Sequence, residues 1–281
     1  MTTVAVVVNA TRLAEQPELV GPVRAALEIL RGRAKVRVDR DGAQALHLEE
    51  AGWSEETLAS GAHLVVAVGG DGTILRAARL AAAADVPILG VNLGGLGFLS
   101  EVSVQELPAV AADLAEGRYS LDERMMLQAE VGGQGRLLAL NDVVVSHGGV
   151  ARVLRLRVWV NGEHLASYPA DGVIVATPTG STAYSLSAGG PVVHPRVEAL
   201  LITPICPHTF NARAVVVHRD DVVEVEAGSA AAVTADGRAT VSLEPGQRLR
   251  VCRAEQVTRF VRLRRRSFYG ILRTKLTWGE R

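Results

Sequence analysis

Cysteine is almost missing from this chain: Cys206 and Cys252 are the only two in 281 residues, and they stand in no metal-ligand spacing. Neither a disulfide framework nor a thiolate metal site is therefore expected to organise the fold. No apolar run is as long as a bilayer span, which argues against an integral membrane helix. A net charge is missing too, because 30 basic residues balance 30 acidic ones, so neither nucleic acid nor a membrane surface is expected as a non-specific partner. The start carries no basic stretch followed by a short apolar one, and the cytoplasm is the compartment expected. Internal repeats and low-complexity linkers are also missing. What is present is 48% hydrophobic and 21% charged residues, the composition of a soluble globular protein with a sizeable core, as one large domain or two ordinary ones.

The first third alternates strand and helix signals. Thr3 to Val8 is a β-branched run, Pro17 to Leu30 repeats apolar residues at helical spacing, and Ala34 to Val38 alternates as a second strand. Ser54 followed by Glu55 and Glu56 marks a helix start, His63 to Val68 a buried strand, Ile74 to Ala84 an Ala-rich helix and Val86 to Val91 a further strand. This order predicts a Rossmann-like α/β domain, a mostly parallel sheet with helices on both faces and ligands at the carboxyl ends of its strands. Asn92 to Ser100 is a glycine-rich loop, and a last helix is expected from near Pro108 to Gly117. From about Tyr119 the texture becomes that of closely spaced antiparallel strands. These are expected at Met126 to Val131, Leu137 to Val145, Arg155 to Val160, Gly172 to Ala176, Leu200 to Thr203, Ala214 to Val217, Asp221 to Glu226 and Gln247 to Cys252. Asn161-Gly162 is a strong two-residue turn signal. The expected organisation is an α/β domain over residues 1–118, a β-rich sandwich-like domain over 119–259, and a closing helix, Phe268 to Leu276, that returns with residues 260–281 to the first domain.

Gly69-Gly70-Asp71-Gly72-Thr73 sits between a strand and a helix. Glycines there allow positive φ and close backbone approach, and the amides and positive dipole end of the following helix suit a phosphate. A carboxylate beside a phosphate cradle is misplaced unless it accepts a proton or holds a hydroxyl or Mg2+. The alternative is an Asp-Gly turn or helix cap.

A second polar concentration runs from Asp171 through Thr177-Pro-Thr-Gly-Ser-Thr-Ala-Tyr-Ser-Leu-Ser-Ala-Gly-Gly-Pro191. Small residues let a flat base lie against backbone, hydroxyls supply hydrogen bonds, and Tyr184 offers a stacking ring. The alternative is a hydroxyl-rich surface loop in which Ser181 or Thr182 caps a helix starting near Ala183.

Together with Asn92-Leu-Gly, Leu96-Gly-Phe-Leu99, Asn141-Asp142 and Pro204-Ile-Cys-Pro-His208, these stretches resemble the NAD kinases, in order along nearly the whole chain. The pentapeptide alone is shared with lipid kinases; the Thr177 to Pro191 run is far more specific. The resemblance implies phosphoryl transfer from ATP or inorganic polyphosphate to the 2′-hydroxyl of the adenosine ribose of NAD. By the same resemblance Asp71 is the proton acceptor and, with Gly72, touches the dinucleotide near its pyrophosphate and ribose. Asn141 and Asp142 hold the adenosine half, and Thr182, Ala183, Tyr184, Ser185 and Ser187 line the base and ribose pocket. Asp171 approaches the nicotinamide side from a neighbouring subunit, and Arg76 and Arg152 are phosphate or ribose contacts. Asp142 departs from the family, where many members carry Glu. The stretch Tyr168-Pro169-Ala170 varies with NAD against NADH preference.

The implied cofactor is Mg2+ carried mainly by the donor phosphates, with no metal-ligating side chains assigned, and the implied assembly is a homodimer or homotetramer. A lipid kinase sharing the first domain and a non-catalytic dinucleotide-binding regulator are the competing readings. The run Arg259, Arg262, Arg264, Arg265 and Arg266 could suit polyphosphate or nucleic acid, but Arg262, Arg264 and Arg266 fall on one face of a strand, and a solvated or subunit-facing face is the expectation. His208 is expected as a structural hydrogen-bonding residue.

Overall fold

Five of the six residues of Thr3–Val8 (β1) are β-branched and all are buried or nearly so, which is what a strand covered on both faces requires. In the computed structural model, which describes residues 2–95, 97–147, 153–263 and 267–278, β1 lies between Lys35–Val38 (β2) and Leu64–Val68 (β3). The sheet continues in parallel through Ile88–Asn92 (β4) to the short Val102–Ser103 (β5). These strands belong to the first of two compact units, Met1–Glu123 with Thr258–Arg281.

Alternate residues of β1 and β3 serve opposite faces. Val4, Val6, Val8, Leu64, Val66 and Val68 pack with Val23, Leu27 and Leu30 of Val20–Arg31 (α2) and Val110 and Leu114 of Leu107–Ala115 (α6). Ile74 of Asp71–Ala83 (α5) covers the other face, and a side chain in place of Gly90 would run into it. The remaining helices are short: Ala10–Glu15 (α1), Arg40–Ala45 (α3) and Glu55–Leu58 (α4). Ser54 starts α4 as expected, but the helix is a single turn.

The second unit, Arg124–Val257, is a β-sandwich. One sheet orders Val215–His218, Ala199–Ile205, Gly172–Ala176, Asp142–Ser146, Ala231–Ala235 and Arg238–Leu243, antiparallel throughout. The other includes Glu163–Ala170, Leu154–Val160, Val223–Ala227 and the start of Arg248–Arg262. In chain order the strands are β6 (Ser120–Val131), β7 (Gln134–Ala139), β8 (142–146), β9 (154–160), β10 (163–170), β11 (172–176), β12 (199–205), β13 (215–218), β14 (223–227), β15 (231–235), β16 (238–243) and β17 (248–262). Leu154, Leu156 and Val158 of β9 and Val223 and Val225 of β14 meet Val143, Val173, Val175, Leu200 and Val233 of the facing sheet in one aliphatic core.

Asn161 and Gly162 both take positive φ, the geometry of the expected hairpin turn. Phe268–Leu276 forms the expected closing helix, capped by the Ser267 hydroxyl on the Gly270 amide.

Four expectations need correction. Leu137 to Val145 is two strands, β7 and β8, because the amides of residues 140 to 142 turn away to a carboxylate. Strands β10, β15 and β16 carry no apolar run strong enough to announce them, and β17 is 15 residues long where only its start was expected. The glycines of the strand–helix turn show no positive φ; Gly69 is needed because a Cβ there would collide with Thr73 Oγ1 and the Asn9 side chain. Arg262 does not lie on a solvated face: its guanidinium bonds the fully buried Glu101 at 3.1 Å and Asp122 at 3.0 Å. Arg264, Arg265 and Arg266 lie outside the described residues.

Glu101 also accepts the Leu263 amide at 3.1 Å, so one buried carboxylate holds the end of β17 to the β4–β5 connection. Arg262→Met removes the countercharge but leaves the carboxylate buried. It should cost about 3 kcal/mol of unfolding free energy, with Glu101→Gln costing less, as measured by urea denaturation.

Candidate functional site

Asp71 is the first residue of α5, with Gly70 as its N-cap, at the carboxyl end of β3. Amides in a first helical turn have no intrahelical acceptor, so those of Asp71 and Gly72 are available to an anion, and open space surrounds Gly70 and Gly72. The Asp71 carboxylate turns toward the glycine-rich loop: Oδ2 accepts the Phe98 amide at 3.0 Å and Oδ1 the Leu99 amide at 3.3 Å. That approach is possible because residue 97 is glycine, whose Cβ position is filled by the carboxylate itself. The Ser100 hydroxyl accepts the Gly97 amide at 3.2 Å and shapes the same turn. Asp71 is thus a fixed, half-buried carboxylate beside free amides, and not a simple cap.

Arg76, one and a half turns further along α5, is largely committed elsewhere. Its Nη2 donates to Asp39 Oδ2 at 2.6 Å and to the Val8 carbonyl at 3.2 Å, and its Nη1 lies 3.6 Å from Glu55. Asp39 also accepts the Val8 amide at 2.9 Å; burial raises its pKa despite these partners. An arginine expected to meet a phosphate or ribose is therefore held at the ends of β1 and β2.

The second unit gathers Asn141, Asp142 and the hydroxyl-rich loop. Asp236 stands at the β15–β16 turn with φ of +50° and accepts the amides of Leu140 at 2.8 Å, Asn141 at 2.7 Å and Asp142 at 3.3 Å. Thr177 closes the other side: its amide meets the Asn141 carbonyl at 2.8 Å and its hydroxyl donates to the Leu140 carbonyl at 2.6 Å. Asn141 and Asp142 are fixed at the strand end by backbone alone, leaving their side chains for other work. Burial first, and then the charge of Asp236, push the Asp142 carboxyl up to about 7.

Within the loop the hydroxyls divide into two sets. Ser181 is fully buried on the Pro178 and Val193 backbone, and Ser185 is fully buried 2.9 Å from Thr203. Ser185, expected to line a pocket, is a support of the loop instead, because its hydroxyl is already taken. Thr182 donates to the Thr179 carbonyl at 3.3 Å, and neither Ser181 nor Thr182 caps Tyr184–Ser187 (α7). Tyr184 is 46% exposed and Ser187 is exposed, and Ala183, just before them, is half-buried. Ala188 and Val193 pack on Val144, Ile174 and Leu201, so the loop lies on the outer face of the β8–β11–β12 sheet.

Asp171, half-exposed, precedes β11 and lies 3.9 Å from His208, whose own amide donates to the Pro169 carbonyl. Burial holds the neighbouring Tyr168 hydroxyl up at about 12. Arg152 lies outside the described residues. Asp236 and the Phe98 and Leu99 amides were missed by sequence reasoning; Asp236-Gly237 was visible as a turn signal, but its hold on three amides 95 residues away was not.

Comparison with known proteins agrees with these motifs in both units. Residues 27–119 match the family model of the ATP-NAD kinase N-terminal domain, and residues 140–263 that of the ATP-NAD kinase C-terminal domain. A protein of Natranaerobius thermophilus named NAD kinase is 42% identical over 87% of this chain and 88% of its own. The crystal structure of yeast NADH kinase complexed with NADH matches with a TM-score of 0.88 at 25% identity, over 100% of this chain and 89% of that one. An NAD kinase from Archaeoglobus fulgidus in complex with ATP matches with a TM-score of 0.76 at 27% identity, over 98% and 99%. With family models over both units and that level of identity to a full-length relative, the chain belongs to the NAD kinase family.

Proposed function

We propose that this phosphotransferase moves the γ-phosphoryl group of ATP, or the terminal group of polyphosphate, to the 2′-hydroxyl of the adenosine ribose of NAD, giving NADP. The observation that carries the proposal is the Asp71 carboxylate, fixed by two loop amides at the mouth of a helix whose first-turn amides suit a phosphate. The O2′–P bond forms as the bond from the transferred phosphorus to the leaving phosphate oxygen breaks. The hydroxyl proton passes to Asp71, and ADP or the shortened polyphosphate leaves with the electron pair. In a loose transition state that proton leaves late, so orienting the hydroxyl counts as much as removing its proton.

Gly72 lies beside the dinucleotide's phosphates, and Asn141 and Asp142 take its adenosine half. Tyr184 stacks or bonds there, helped by Thr182, Ala183 and Ser187, over a loop that Ser185 supports. Asp171 serves the nicotinamide side from a neighbouring subunit. Arg76 acts through Asp39 in this reading, and Arg152 is a phosphate or ribose contact. Mg2+ rides on the donor phosphates in this reading, neutralising their charge. The match of residues 140–263 to a NAD kinase domain favours this acceptor over a lipid, and the placed Asp71 favours turnover over a purely regulatory role.

The protein acts in the cytoplasm, where the exposed thiol of Cys206 stays reduced, and no described helix is long and apolar enough to cross a membrane. It works as a homodimer or homotetramer; light scattering that finds a fully active monomer removes that part.

Asp71→Asn tests the chemistry. Asparagine accepts one of the two loop amides and presents an N–H group to the other, so melting should fall by a few degrees while NAD still binds. Single-turnover NADP formation should fall about 10²–10⁴-fold, the usual worth of a general base. A folded, NAD-binding variant with near-normal turnover removes Asp71 from proton acceptance.

Asp142 makes a pH prediction. A carboxyl with pKa of about 7 is protonated below that pH in the free protein, whereas accepting a ribose hydroxyl favours the ionised form. NAD binding should therefore tighten as pH rises from about 6 to about 8, and should release about half a proton at pH 7. Calorimetry in buffers of different ionisation enthalpy should show that release in the wild type and lose it in Asp142→Asn.

A further inference from the structure

At the carboxyl ends of β1 and β2 is an open recess of about 350 Å3, distinct from the Asp71 turn and lying within the first unit. Its floor is the Asp39–Arg76 pair, nearly buried on both sides. Trp53 forms a wall, brought there by a bridge between its backbone and that of Asp39. The ring is 37% exposed. The Arg37 guanidinium stacks 4.3 Å from its centroid but does not line the recess, so a different part of the indole faces the opening. Asp41, Glu55 and Glu56 supply the rim, and the Ser54 hydroxyl holds the Glu56 carboxyl below its ordinary range.

This lining repels phosphate. Its carboxylates outnumber its two arginines, and one of those, Arg76, is spent on Asp39. What it suits is a flat, uncharged ring with hydroxyl or amino groups to donate: the ring lies on Trp53 and the donors point at carboxylates. In the sheet order β2-β1-β3, the recess at β2 is two strand spacings, about 10 Å, from the glycine turn after β3. A molecule with phosphates at that turn carries its nucleoside to the recess along one sheet edge.

We infer that the recess receives the nucleoside of the phosphoryl donor, with the base against Trp53, the sugar or amino hydrogens on the Glu55 and Glu56 side, and the phosphates running to Gly70–Gly72. The inference rests on the kinase reading above, which gives the acceptor's adenosine to Asn141, Asp142 and Tyr184 and leaves the donor's without a place.

Equilibrium calorimetry with Mg2+ tests it without turnover, using ATP, inorganic triphosphate and NAD as separate ligands. Trp53→Ala should raise the Kd for ATP about tenfold, the loss of one base–aromatic stack, and Trp53→Phe should restore most of it. Neither should alter the Kd for inorganic triphosphate, which has no base, or for NAD. Glu56→Gln, at an exposed position that does not threaten folding, should weaken ATP by a smaller factor. Unchanged ATP affinity in Trp53→Ala and Glu56→Gln overturns the inference. Equal weakening of triphosphate does so as well, because it makes Trp53 a support of the phosphate site, and selective weakening of NAD assigns the recess to the acceptor instead. A wild-type protein that binds ATP through Trp53 yet forms no NADP keeps the recess and refutes the phosphotransfer reading.

Discussion

Two backbone amides converging on one carboxylate fix the position of Asp71 at the start of α5. Phe98 and Leu99 donate to Asp71, and charge-assisted bonds of this kind are worth about 1.5–3 kcal/mol each. The bonds tie the loop after β4 to the start of α5, so the carboxyl ends of β3 and β4 act as a single piece. They also answer an electrostatic problem. A carboxylate beside a phosphate site repels its ligand, but this one has part of its charge taken by two amide dipoles and by the positive end of the helix it begins. Glycine at 97 is the condition for it all, because any side chain would occupy the carboxylate's own position.

The second unit repeats the device with a different result. Asp236 collects three amides in succession and so bends the chain out of β7 and into β8 at Leu140 to Asp142. Here burial raises the cost of charging the neighbouring Asp142, and the stabilising carboxylate of Asp236 is close enough to add to it. A ligand that donates a hydrogen bond to Asp142 relieves part of that penalty, whereas the folded protein alone relieves it only by holding a proton. The tension belongs to the strand end and not to the loop, since Thr177 and Ser181 are satisfied within the backbone.

How much of this was legible follows from what each signal measures. Apolar runs report burial, so β1, β3, β4, β11 and β12 were readable, and so was the α/β unit followed by a sandwich. Strand β10 was hidden because it is a partly exposed edge with Pro169 in it, and β15–β16 because Ala231 to Ala235 is alanine-rich and lacks the bulky alternation that marks a strand. Side-chain polarity reports only that a hydrogen bond is needed. Hence Ser185 and Tyr184 looked alike in the sequence, although one spends its hydroxyl on Thr203 and the other stands open. Arg76 and Arg262 show the same limit: one was expected to meet a phosphate or ribose and the other to lie on a solvated or subunit-facing strand face, and each is met instead by a carboxylate from a distant part of the sequence, Asp39 or Glu101.

That difference in partners shapes the sheet edge as a whole. At the ends of β1, β2 and β3, Arg76 is neutralised by Asp39, while the amides of Asp71 and Gly72 at the start of α5 have no intrahelical acceptor. The positive potential at the glycine turn itself therefore comes from backbone, whose position is set by the sheet, and not from Arg76. Backbone donors cannot swing out of register, so a phosphate held by them stays at a fixed distance from Asp71. In a reaction whose rate depends on an in-line approach more than on covalent assistance, that rigidity does more than an added charge. The acidic lining of the recess, about 10 Å along the edge at β2, would repel a phosphate chain that slid toward it from the glycine turn.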